Sequence, residues 1–114
     1  MADCIFCKII DGTIPSKKVY ENDHIVAFQD IHPAAPVHVL IVPKLHIENL
    51  EALNDENMDL VMKIHFAIQE VAKIMKINSD GYRVIVNCGK NGGQTVPHLH
   101  YHLLGGAEFN EKII

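Results

Sequence analysis

Pro97-His98-Leu99-His100-Tyr101-His102-Leu103-Leu104 alternates imidazoles with apolar side chains. On an extended chain, successive side chains point to opposite faces. The rings of His98, His100 and His102 therefore share one surface, and Leu99, Tyr101 and Leu103 share the other. The apolar side needs a core to lie against. The stretch thus reads as the last strand of a sheet, over residues 99–104, ended by Gly105-Gly106. Packing gives a protein little reason to align three imidazoles. Such a row can ligate a metal, bind an anion or attack phosphorus; its plain alternative is a solvated polar strand.

Working outward, the sequence supplies what that strand packs against. Val61, Ile64, Ile68, Val71 and Met75 recur at spacings of three and four, which predicts a long amphipathic helix. Asn54 suits its cap, Asp55 and Glu56 suit its positive end, and it should stop near Lys76. Residues 37–42 are β-branched and apolar, so they read as a well-buried strand that Pro43 stops. Alternation puts His38, Leu40 and Val42 on one of its faces. Residues 19–21 and 25–28 read as an antiparallel hairpin, and residues 82–88 as a further strand. Residues 4–10 form a short helix or turn. The expected fold is α+β: a five-stranded, mainly antiparallel sheet with one long helix and a short N-terminal helix, in a single domain over residues 1–114.

A net charge of −4 argues against a protein that lives on nucleic acid backbone, which needs a concentrated basic surface. A small anion held by local donors is still compatible with it. No apolar run approaches the ~20 residues that span a bilayer. Met1-Ala2-Asp3-Cys4 lacks the basic and apolar regions of a secretory leader, so the cytoplasm is the expected compartment. Three cysteines are too few for a disulfide scaffold.

Two motifs carry chemistry besides the histidine row. A neutral imidazole is nucleophilic at one nitrogen when its other N–H is held by a carbonyl, and His100 is the candidate for that role. His98 and His102 could then orient it or donate to phosphate oxygens. Upstream, residues 87–95 offer polar groups and glycines that permit close approach of an anion, with Gln94 and Thr95 as donors. The stretch lacks a P-loop or dinucleotide fingerprint. Cys4 and Cys7 form a Cys-x-x-Cys pair. It could hold zinc with His46 and His98 as the missing ligands, act as a redox dithiol, or be two buried thiols.

These residues resemble the histidine-triad nucleotide-binding family, whose pattern is His-x-His-x-His followed by two apolar residues. His98 to Leu104 matches it, and the resemblance extends through Ile5-Phe6, Asp30-Ile31, Pro36-Val37-His38, Val42-Pro43-Lys44-Leu45-His46 and Gly92-Gly93-Gln94. The resemblance implies a protein that binds purine nucleotides and cleaves adenosine 5′-monophosphoramidate-like substrates through a nucleotidyl-histidine. It implies His100 as nucleophile, with His38, His98 and His102 in support. It puts Asp30 and Ile31 at the ribose and base, and Asn87, Gly93, Gln94 and Thr95 on the phosphate side. Many relatives carry serine where Thr95 stands. Bacterial-type relatives with the two cysteines imply structural zinc on Cys4, Cys7, His46 and His98. A homodimer with a continuous ten-stranded sheet is implied as well. The tail from Ala107 to Ile114 departs from the tryptophan-bearing tail of close eukaryotic relatives. The other functions weighed are a nucleotide-binding regulator with incidental hydrolysis and a dinucleoside polyphosphate hydrolase.

Overall fold

The structure is a computed structural model that describes residues 4–113. Met1 to Asp3 and Ile114, which belong to the N-terminal stretch and the tail read above, lie outside the described residues. In chain order the elements are α1 (Ile5–Ile10), β1 (Lys18–Glu21), β2 (Ile25–Gln29), β3 (Val37–Pro43), a 3-10 turn (Leu50–Ala52), α2 (Asp59–Ile74), β4 (Arg83–Val86) and β5 (Tyr101–Gly105). The strands form one sheet in the order β1-β2-β3-β5-β4. Every neighbouring pair in it is antiparallel. This is the expected α+β architecture, with β5 inserted between β3 and β4.

The central strands are apolar on both faces because both faces are covered. Ile25, Ala27, Val39 and Ile41 pack with Ile64, Ile68 and Val71 of α2. Their alternates Val26, Phe28, Leu40 and Val42 pack with Phe6 and Ile9 of α1. The period of two that separates these sets also sorts the histidine segment. Leu99, Tyr101 and Leu103 enter the helix-side core. His98 and His100 lie on the opposite side, against Phe6.

Beyond one-residue extensions of β1, β2 and β3, the last of which runs through Pro43 instead of stopping before it, three elements differ from the sequence reading. α2 begins at Asp59, not near Asn54. The Asn54 side chain does accept from the Glu56 and Asn57 amides. However, Asn57 in turn accepts from the Asn54 amide, and the two close a separate turn. The next bonds, Leu60 to Asn57 and Val61 to Met58, span three residues, so regular helix starts only after them. At the far end Lys76 adopts φ 61°, and the Ile77 amide reaches back to the Ala72 carbonyl at 2.9 Å. That left-handed closure ends α2 without a glycine.

β5 begins at Tyr101, two residues later than expected. The Leu99 amide bonds the Ile47 carbonyl instead of the neighbouring strand. His98 and His100 thus sit in an extended lead-in, and of the row only His102 is on the strand itself. β4 is shorter than residues 82–88, because Asn87 and Cys88 already turn into the following loop.

Ile64 is fully buried where α2 crosses the sheet. Ile64→Ala should cost about 2–5 kcal/mol of unfolding free energy by urea denaturation; a loss under ~1 kcal/mol would show that this face is not the main core.

Candidate active site

The site is assembled from α1, β3, the extended lead-in and β5. Cys4 caps α1, and its Sγ accepts from the Cys7 amide. This brings both thiols to the two histidines: Cys4 Sγ lies 3.3 Å from His98 Nδ1, and Cys7 Sγ lies 3.3 Å from His46 Nδ1. All four ligand atoms fall within 4.8 Å of one another. The His98 ring is fully buried, and its Nε2–H donates to the Pro43 carbonyl at 2.8 Å. A carbonyl can only accept, so the lone pair is on Nδ1, facing the sulfurs. Burial first lowers the His98 pKa, which keeps the ring neutral. Burial, and next the Cys4 thiol beside it, push the Cys7 thiol up to about 11, so a cation is needed to draw its proton off at neutral pH. Two sulfurs and two nitrogens with a carbonyl behind one ring form a donor set that suits tetrahedral zinc.

His100 is fixed through its neighbour. Its Nδ1–H donates to the His98 carbonyl at 2.7 Å. The proton is therefore on Nδ1, and Nε2 carries a free lone pair. The Phe6 ring meets His100 edge-on at 5.0 Å between centroids. Burial lowers the His100 pKa against the opposing pull of that carbonyl and of Asp30. The ring is thus a neutral base at pH 7.

A second chain of bonds sets His102. The Ala34 amide donates to His38 Nδ1 at 3.0 Å, so the His38 proton is on Nε2. That N–H donates to His102 Nδ1 at 2.9 Å and lies 3.5 Å from Asp30 Oδ2. The His102 proton is then on its own Nε2. Burial, followed by His100 and His38, lowers the His102 pKa to about 4. Asp30, His38 and His102 also have the spacing of metal ligands. Ligation through His38 Nε2 would move its proton to Nδ1, against the Ala34 donor. The cluster is therefore a hydrogen-bonded relay.

His100 and His102 border a cavity of about 320 Å³. Ile5, Phe6, Ile9, Ile14, Phe28 and Leu40 form apolar walls, while Asp30 and Thr95 add polar groups. Its volume falls at the lower end of small-molecule sites. Ile31 lines it too but is 86% exposed, so it sits at the rim. An apolar slot with imidazoles at its wall can take a flat apolar body joined to an anion.

The glycine-rich loop is held together by its own polar groups. Asn87 donates to the Gly92 carbonyl at 2.7 Å. The Gln94 side chain accepts from the Gly89 amide and donates to the Glu48 and Val96 carbonyls. The Gly93 and Gln94 amides bond carbonyls of the same loop. A Cβ at Gly92 would collide with the Cys88 carbonyl, which explains that glycine. Asn87, Gly93 and Gln94 therefore shape the loop, and they are not among the residues lining the cavity of His100. Gly93 and Gln94 line a separate hollow, and Thr95 alone of the four borders both. Several parts of the site escaped the sequence reading. The Ala34 amide and the Pro43 carbonyl are backbone groups with no side-chain signal. The walls Ile14 and Phe28 are apolar side chains with no chemistry of their own to mark them.

The HIT domain family model matches residues 11–109, a span that holds the histidine row and leaves Cys4 and Cys7 outside. The chain is similar to a histidine triad protein from Clostridium difficile, with 50% identity over 98% of this chain and 97% of that one and a TM-score of 0.95. It is also similar to a HIT family hydrolase from Clostridium thermocellum, with 50% identity over 100% and 99% of the two chains and a TM-score of 0.98. Protein HitA of Neisseria gonorrhoeae is 44% identical over 105 residues, 92% of this chain and 97% of that protein.

Since burial depresses both rings, the His100 and His102 imidazoles should titrate below the ordinary value of about 6.5, His102 near 4. Their ring C–H shifts followed by NMR against pH test this; a midpoint above 6.5 for His102 would contradict the relay.

Proposed function

The chain belongs to the HIT domain family, and from that premise we propose that it is a hydrolase of purine nucleoside phosphoramidates, cutting the P–N bond. The observation that carries this reading is the aimed lone pair of His100 at the wall of an apolar cavity. The purine would lie between the apolar walls, with the sugar beside Asp30 and the phosphate against His100 and His102. In-line attack by His100 Nε2 forms a P–N bond to the ring as the P–N bond to the amine breaks. His102 Nε2–H donates to a non-bridging oxygen as charge gathers there. The leaving amine takes a proton, relayed by Thr95 or a neighbouring histidine. Water then attacks the same phosphorus, releasing the monophosphate and restoring the neutral ring.

Zinc on Cys4, Cys7, His46 and His98 would be structural. It would lock the His98 backbone whose carbonyl aims His100, and no reaction step passes through it. A reducing cytoplasm would keep its thiols available.

The assembly we propose is a homodimer formed through β4. The outer edge of β1 is guarded by Lys17 and Lys18, a common block to pairing. The β4 edge instead shows Val84 and Ile85, and α2 exposes Met62 and Phe66. Pairing of two β4 edges would continue the sheet to ten strands and cover apolar surface.

His100→Ala should lower phosphoramidate turnover by on the order of 10³-fold or more while nucleotide binding persists. Rapid-quench mass spectrometry with adenosine 5′-monophosphoramidate should find a nucleotidyl adduct on His100. Turnover without any adduct, or an intact rate in the variant, would remove the covalent mechanism. Faster cleavage of a dinucleoside polyphosphate than of the phosphoramidate would change the substrate class.

Metal analysis should give one zinc per chain, kept in His100→Ala and lost in Cys4→Ala. Two metals per chain, with one lost in His100→Ala, would overturn the division of the histidines.

A further inference from the structure

Ser16 holds an unpaired hydroxyl. Among the described residues, its Oγ is the buried side-chain nitrogen or oxygen that has no hydrogen-bond partner. Leaving such a group unmade is costly, and an alanine there would remove the cost. The residue itself is half-buried at the wall of the proposed nucleotide cavity. It also borders the shallow hollow that adjoins that cavity, and Asp30 borders both as well. Ser16 and Asp30 are thus among the residues that line both spaces, with Pro15, Gln29 and Ile31. A serine hydroxyl changes rotamer by turning about one bond. Here the turn breaks no hydrogen bond, because none is made.

We propose that Ser16 is a specificity-determining residue whose hydroxyl turns to meet the sugar hydroxyls of a bound nucleotide beside Asp30. The inference rests on the nucleotide reading above and deepens it. A hydroxyl both donates and accepts, so it complements a sugar hydroxyl already paired with a carboxylate. A site built to bond such a group rejects the analogue that lacks it. The preference would be for ribonucleotides over deoxyribonucleotides. The expense of this device is borne by the empty protein, which carries an unpaired polar atom until a ligand arrives.

The test pairs a stability readout with a binding readout. Thermal melting without nucleotide is compared for the wild type and Ser16→Ala. Calorimetric titration then compares adenosine monophosphate with its 2′-deoxy and 3′-deoxy forms on both proteins. We expect Ser16→Ala to melt several degrees higher, to bind adenosine monophosphate about 3- to 10-fold more weakly, and to bind at least one deoxy form as the wild type does. Ser16→Cys, of similar size but with a weak donor, should show the same binding pattern. Unchanged ribonucleotide binding, equal weakening of all three ligands, or a variant that melts no higher would each overturn the proposal. Failure of the wild type to bind any of the three would remove the nucleotide reading and this inference with it. Binding by the wild type without a change in the variant removes this inference alone.

Discussion

The hydrogen bond from His100 Nδ1–H to the His98 carbonyl, at 2.7 Å, is the constraint on which the site depends. It joins a ring to the backbone two residues earlier, so it places the proton on Nδ1 and leaves Nε2 free. It can hold that geometry only if the backbone at His98 is itself immobile. The His98 ring supplies this, with one nitrogen on the Pro43 carbonyl and the other toward Cys4 and Cys7. One histidine is thus an anchor and the next a lone pair with a direction. Burial adds the second requirement, since a neutral ring is the nucleophilic form and desolvation disfavours the charged one.

The two faces of the sheet divide the labour. The α2 face is a large apolar cluster that fixes β2, β3 and the lead-in to β5. The other face is covered by α1 only in part, and the uncovered remainder is the cavity. Phe6 links the two halves of that face: it packs on Phe28 in the core and on both His98 and His100. A change at Phe6 would therefore disturb the core, the His98 anchor and the His100 ring together. The His38–His102 pair is fixed separately, by an amide from the turn before β3. The two bond chains come together where the His100 and His102 rings meet edge-on, 5.1 Å between centroids, and no hydrogen bond links those two rings, so each keeps its own tautomer.

Much of this was legible in the sequence because alternation survives changes in hydrogen bonding. His98 and His100 are not on the strand proper, yet they face the side that a period of two assigns them. The Cys4, Cys7, His46 and His98 cluster was legible as a set of ligand types, and the fold brings their atoms together. The glycine-rich loop was harder. Asn87 and Gln94 have side chains that suit a phosphate and suit a turn equally, and the turn uses them. The start of α2 misled for a related reason: Asn54 is a true cap, but of a turn closed by Asn57. Ser16 gave no signal, because an unpaired hydroxyl is a property of packing and not of residue type.

The central claim is a tautomer, and it can be observed directly. Long-range nitrogen–proton NMR of uniformly labelled protein at neutral pH, without ligand, reports which nitrogen of each ring carries the proton. The account predicts His100 protonated at Nδ1 alone, with an unprotonated Nε2. A His100 protonated at Nε2, or at both nitrogens at pH 7, would leave no attacking atom and contradict it.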